Sequence, residues 1–137
     1  MKTIIVGVNG SEEAARALRW SARLAEQNEG RVVAVRAVSR VGIWELAAFQ
    51  VNPDPVVREY EAQLRGRSTA PLRGLGVEYT TRLERGEPAE ALMRVASAED
   101  ADLIVIGARH RDPAHGTTTR RLLKRTRCPL VVIPNRD

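Results

Sequence analysis

The sequence is poor in the residues that most redox, metal and stacking chemistries recruit. Its 137 residues include one cysteine, two histidines and five aromatics, namely two Trp, two Tyr and one Phe. With Cys128 alone, no intramolecular disulfide can form. A single thiol at the mouth of an apolar run reads first as a packing residue; only the neighbouring Arg125 and Arg127 argue for a reactive one. Five aromatics are too few for a platform on which bases stack. There is no HExxH, no paired-cysteine metal spacing and no recognisable Ser-His-Asp order, and His110 and His115 share one loop whose only carboxylate is Asp112. No enzyme and no bound metal is expected. Long apolar runs are missing too. LIVIGA at 103–108 and PLVVIP at 129–134 fall far short of the ~20 residues of a membrane helix, and Met1 and Lys2 lead directly into IIVGV without a signal-peptide cleavage pattern. A cytoplasmic location is expected.

What is present is a balance of 43% hydrophobic and 28% charged residues, that of a single domain spanning 1–137 with a real core. The net charge of +5 is unevenly placed. Arg109, Arg111, Arg120, Arg121, Lys124, Arg125 and Arg127 face only Asp112 between Gly107 and Cys128, a local balance of +6 that leaves −1 for the rest. The later cations, from Arg120 on, fall on one side of a helix whose other side carries Leu122 and Leu123, so a solvated face is the ordinary explanation. Nucleic acid is expected as a partner only nonspecifically, in a salt-sensitive way.

Hydrophobic periodicity orders the rest. TIIVGV at 3–8 is a strand, and NGSEE starts a helix that Ser11 can cap and whose dipole suits Glu12 and Glu13. Ala14, Ala17, Leu18, Ser21, Ala22 and Ala25 give that helix one narrow inner face, and Gly30 ends it. RVVAVRAV at 31–38 is the second strand. An irregular connection at 39–55 and a helix from about 55 to 68 follow, with Gly66 and Pro71 disturbing the helix end. VEYTTRLE at 77–84 alternates as the third strand, and Pro88 opens a helix with Ala89, Leu92, Val95 and Ala96 inward. LIVIG at 103–107 is apolar on both faces, as a central parallel strand should be. This alternation predicts an α/β fold: a doubly wound, Rossmann-like, five-stranded parallel sheet of order 3-2-1-4-5 with helices on both faces.

Ligands of such sheets bind beyond the strand carboxyl ends where the winding reverses, here between the first and fourth strands. That places Val8, Asn9 and Gly10 beside Gly107. Gly116, Thr117, Thr118 and Thr119 then have the composition of a helix start with free amides and three hydroxyls, which suits phosphate. Arg109, His110, Arg111 and His115 add donors nearby. No GxxxxGK[ST] occurs, and GVNGSE at 7–12 is not GxGxxG, with Ser39 and Arg40 where an acidic ribose ligand belongs. A P-loop and an NAD site are excluded. A phospho-acceptor receiver is disfavoured by Asn9 after the first strand.

IIVGVNGSEEAARAL, GEPAEALMRVASAEDADLIVIGARHR and RCPLVVIP together resemble the universal stress protein family over essentially the whole chain. The resemblance implies an adenine nucleotide alpha hydrolase-like fold and ATP or another adenine nucleotide held through GxxG, nine residues, then G[ST]. It makes Gly107 the first motif glycine and Gly116 with Thr117 the closing pair. It also places Ala37 at the adenine edge, with Thr118 and Thr119 completing the phosphate cradle. The chain departs from that pattern in three ways. His110 replaces the second glycine, and the loop to Gly116 is four residues short, judged by the twelve-residue step from Gly116 to Cys128. Asn9 replaces an acidic residue, removing one hard-metal ligand. It also removes a repulsion of roughly 1–3 kcal/mol on a phosphate about 6 Å away.

Two functions follow as expectations. One is a stress-response adenine-nucleotide binder without rapid turnover. The other is a regulatory dimer of the same fold that has lost ATP and acts through protein or nonspecific nucleic-acid contacts. In either, the exposed last strand, Leu130 to Pro134, is expected to pair two copies into a homodimer, as relatives do.

Overall fold

In a computed structural model, the structure describes residues 2–38, 54–109 and 116–135. Five strands form one parallel sheet in the order β3-β2-β1-β4-β5. They are β1 (Thr3–Gly7), β2 (Arg31–Val38), β3 (Glu78–Arg85), β4 (Leu103–Gly107) and β5 (Leu130–Ile133). The helices are α1 (Glu12–Gln27), α2 (Asp54–Arg65), α3 (Pro88–Ala98) and α4 (Thr117–Arg125), with a 3-10 segment at Arg67–Leu72. The expected sheet order and layering are those observed. The irregular connection lies largely outside the described residues.

Alternation along each strand feeds two cores, one per face of the sheet. Ile4, Val6, Val32, Ala34 and Val105 meet the alanine face of α1 together with Leu64 and Leu72. Ile5, Val33, Val35, Ile104 and Ile106 meet Ala89, Leu92 and Val95 of α3 and Leu122 of α4. Burying one such Leu or Ile contributes about 1.5–3 kcal/mol. The two faces together hold the central strands dry on both sides.

Boundaries differ from the sequence reading by small, explicable steps. β1 stops at Gly7 although Val8 stays buried and its amide still donates to Val35 O at 2.9 Å. α1 ends at Gln27, and the left-handed turn falls on Glu29 (φ 52) rather than on Gly30. The helix expected to run to 68 ends at Arg65. Gly66, at φ −97 and ψ −95, hands the chain to a 3-10 segment that accommodates Pro71, because proline offers no amide to an α-helical ladder. On α4 the expected apolar pair splits. Leu122 is fully buried and Leu123 is exposed, since one residue turns the side chain by about 100°.

Among the cations of α4, Arg121 pairs with Glu87 at 3.3 Å and Arg125 pairs with Glu90, both acids belonging to α3 or its N-cap. The cationic face is therefore partly neutralised by its neighbour. Each exposed pair contributes no more than about 1 kcal/mol, so their effect is on the local field more than on stability.

Candidate functional site

The winding reverses between β1 and β4, whose ladder runs Ile4 to Leu103 through Val6 to Val105. Beyond it the carboxyl ends of both strands frame a cavity of about 380 Å3. That size lies in the range of about 300–1,000 Å3 usual for small-molecule sites. Val8, Val35, Ala37, Leu92 and Ile106 give it an apolar wall, and Asn9, Ser11, Glu13, Arg109 and Thr117 to Thr119 a polar one.

All the expected site residues except His110 are among those the structure describes. Val8, Asn9, Ala37, Gly107, Arg109, Gly116, Thr117, Thr118 and Thr119 all line this cavity. Gly10 is not among the lining residues; its φ of +81 serves the turn between β1 and α1, a conformation open to glycine. His110 lies outside the described residues, as do Arg111, Asp112 and His115.

Local chemistry explains the arrangement. Asn9 Oδ1 accepts from the Ser11 amide at 3.0 Å, folding the turn back on itself, and Ser11 Oγ accepts from the Ala14 amide at 3.2 Å to cap α1. Across the crevice α4 begins differently. Its N-cap is Gly116, no described side chain caps it, and no acid stands in its first turn. The Thr117, Thr118 and Thr119 amides thus have no capping acceptor among the described residues, at the end of the helix that carries a partial positive charge. Thr119 is buried and Thr118 half-buried, so these threonines sit against the crevice.

Gly107 has a packing reason for being glycine. A Cβ there would fall 2.1 Å from the Glu13 carbonyl oxygen, so the end of β4 and the first turn of α1 are in direct backbone contact. This contact carries Glu13 into the site, which sequence reasoning missed. Glu13 read only as an acid suited to the start of a helix; that it would meet residues a hundred positions later depends on the β4 to α1 contact. Arg109 Nε donates to Glu13 Oε1 at 3.3 Å. Burial acts to raise the Glu13 carboxyl. Hydrogen bonds from its own backbone amide, from Arg109 and from Ser11, with the Arg109 charge, outweigh that effect and hold it below the ordinary glutamate range.

Cys128 is half-buried, and its Sγ donates to Ala101 O at 3.5 Å. Burial, followed by the Asp102 charge, pushes the thiol upward, which disfavours the thiolate. Both effects favour the plainer reading of a packing thiol. Among the described residues no group of three or more His, Cys, Asp and Glu could hold a metal ion, and no helix is long and apolar enough to cross a membrane.

A five-stranded parallel sheet of order 3-2-1-4-5 with an open crevice at its switch point is the doubly wound arrangement found in the adenine nucleotide alpha hydrolase-like class of fold. Within that class the universal stress protein family model matches residues 1–134, and the chain belongs to that family. It is 30% identical over 141 aligned positions to universal stress protein Rv2624c of Mycobacterium tuberculosis, covering 97% of this chain and 48% of that one. The chain thus spans about half the length of that relative. Among solved structures, the universal stress protein from Archaeoglobus fulgidus in complex with dAMP is 25% identical with a TM-score of 0.76, covering 97% of this chain and 98% of that one. A universal stress protein in complex with cAMP superimposes with a TM-score of 0.74 at 20% identity, covering 97% and 96%, a likeness of fold.

Proposed function

We propose that the chain binds an adenine nucleotide in the crevice between β1 and β4, without rapid turnover, as a stress-response protein of the cytoplasm. The observation that carries this reading is the uncapped start of α4, whose three threonines line a cavity of mononucleotide scale. In this pose the phosphate meets the amides of Thr117, Thr118 and Thr119, with Gly116 keeping the approach clear. Arg109 supplies a charge-assisted donor. The base lies against Val8 and Ala37, toward the ends of the first two strands, and Asn9 closes the turn beside it, with Gly10 shaping that turn. The dAMP and cAMP held by two structural relatives support the same class of ligand here.

Two copies pair through the edge strand, Leu130 to Pro134. Every residue of β5 is only half-buried, although the strand is apolar and lies at the sheet margin.

A second reading has its own observation in favour. The Glu13 carboxylate stands in the cavity and already occupies Arg109, which suits a regulatory dimer that has given up ATP. The pairing of Arg121 and Arg125 with α3 acids weighs against nucleic acid as its partner. Isothermal titration with ATP, ADP and AMP, with and without magnesium, decides between the two readings. Saturable heat supports the nucleotide site, and no heat at millimolar ligand rejects it in favour of the dimer.

A further inference from the structure

We propose that Glu13 makes the crevice select its anion by charge, so that a nucleotide with one phosphate is held in preference to one with three. This inference rests on the nucleotide reading of the cavity and names the residue that limits it.

Glu13 lies in the first turn of α1 and Arg109 just beyond β4, yet both line the cavity with Thr117, Thr118 and Thr119. The guanidinium that an incoming phosphate would recruit already donates through Nε to Glu13 Oε1. The carboxylate side chain is 21% exposed and that of Arg109 69%, so the anion of the pair is the less screened partner. Glu13 is also held anionic by the hydrogen bonds and charge that surround it. The Glu13 carbonyl sits where a Cβ on Gly107 would be, so the first turn of α1 rests on the end of β4.

Among the described residues, an anion in this crevice therefore meets one fixed negative charge and one cation already shared with it. The attraction from the α4 start is that of roughly half an elementary charge, confined to the first turn. The repulsion from Glu13 grows with every charge the ligand adds. A monophosphate keeps its few charges against the α4 amides, whereas a triphosphate must place additional ones near the carboxylate or pull Arg109 from it.

The test is magnesium-free titration of wild-type protein and Glu13→Gln with AMP, ADP and ATP, and with phosphate, pyrophosphate and tripolyphosphate as bare anions. Wild type is expected to bind AMP more tightly than ATP. Glu13→Gln should raise ATP affinity about tenfold and AMP affinity only about two- to threefold, with tripolyphosphate following ATP. Arg109→Gln, which leaves Glu13 unopposed, should weaken ATP more than AMP. Added salt should narrow the wild-type gap between AMP and ATP, a readout that needs no variant. Equal gains for AMP and ATP, or a wild-type preference for ATP, overturn the role of Glu13 and leave the nucleotide site standing. If adenine nucleotides bind no better than the bare anions, yet the anions separate by charge as described, the adenine reading fails and the role of Glu13 holds. Binding of none of the six overturns both.

Discussion

Two helices begin at the same crevice, and they begin in opposite ways. The start of α1 is closed: Ser11 caps it, Glu12 and Glu13 stand in its first turn, and Asn9 ties the preceding loop to the Ser11 amide. The start of α4 is open, with a glycine N-cap, no side-chain acceptor among the described residues, and three hydroxyls. A third helix, α3, is closed as well, by Glu87, which accepts from the Ala89 and Glu90 amides at 3.1 Å. Each capped start is complete within the protein, and its partial positive charge is offset by its own acids. Among the described residues, only α4 of these three leaves donors for something else. The same contrast explains the charge distribution, since the acids of α3 draw Arg121 and Arg125 sideways and leave the tip of α4 to the crevice.

The contrast depends on the two starts being side by side, and the largest expected effect comes from separating them. Gly107→Val forces a Cβ into the Glu13 carbonyl, so β4 and α1 must move apart. Urea denaturation should show a loss of about 3 kcal/mol or more, in the upper range for overpacking. A loss below about 1 kcal/mol would mean that the backbone contact is soft. Making α1 resemble α4 is the next step. Ser11→Ala removes the cap on the Ala14 amide and should cost about 1 kcal/mol in the same assay.

The acid response separates the crevice from the far end of the sheet. Glu99, the C-cap of α3, has its carboxyl lowered first by the hydrogen bond from Arg31, against the opposing effect of burial, and further by the Arg31 and Arg82 charges. A carboxyl lowered by folding adds stability above its unfolded value and loses it as pH falls toward the folded one. Stability should therefore decline below about pH 5, and Glu99→Gln should be less stable near neutrality with a shallower acid slope. The residual slope belongs in part to Glu13, whose carboxyl is lowered as well. An unchanged slope in Glu99→Gln would show that the Arg31 pair contributes nothing in solution.

The smallest change in stability comes from closing α4. Gly116→Asp supplies the missing cap, and because glycine is itself a tolerable N-cap the gain should be only a few tenths of a kcal/mol. Anion affinity should fall by about tenfold or more, since the new carboxylate occupies the amides and repels the ligand. Stability rising while binding falls is the signature of an open helix start that serves a ligand.

The sheet order was legible because β-branched runs alternate with small-residue helical faces, and because 103–107 is apolar on both sides. The candidate site was legible in part for a related reason. Strand ends and helix starts are local features, so Asn9 and Gly107 could be placed by topology and Gly116 to Thr119 by their composition. Glu13 could not. Its position depends on a backbone contact with Gly107, and nothing in the residues around Glu13 announces a partner nearly a hundred positions away. The end of α2 was blurred for the opposite reason, since Gly66 and Pro71 are two weak breakers whose joint effect is a 3-10 segment rather than a clean stop. Gly10 shows a further limit: standing next to a site in sequence, it serves the turn and does not line the cavity.

The central claim is that the amides at the start of α4 receive the anion. Backbone amide chemical shifts followed during an AMP titration test it most directly. The account predicts that Thr117, Thr118 and Thr119 move furthest, downfield, with Ala14 and Ala89 at the capped starts moving little. Large shifts at the capped starts, with the three threonines unmoved at saturation, would contradict it.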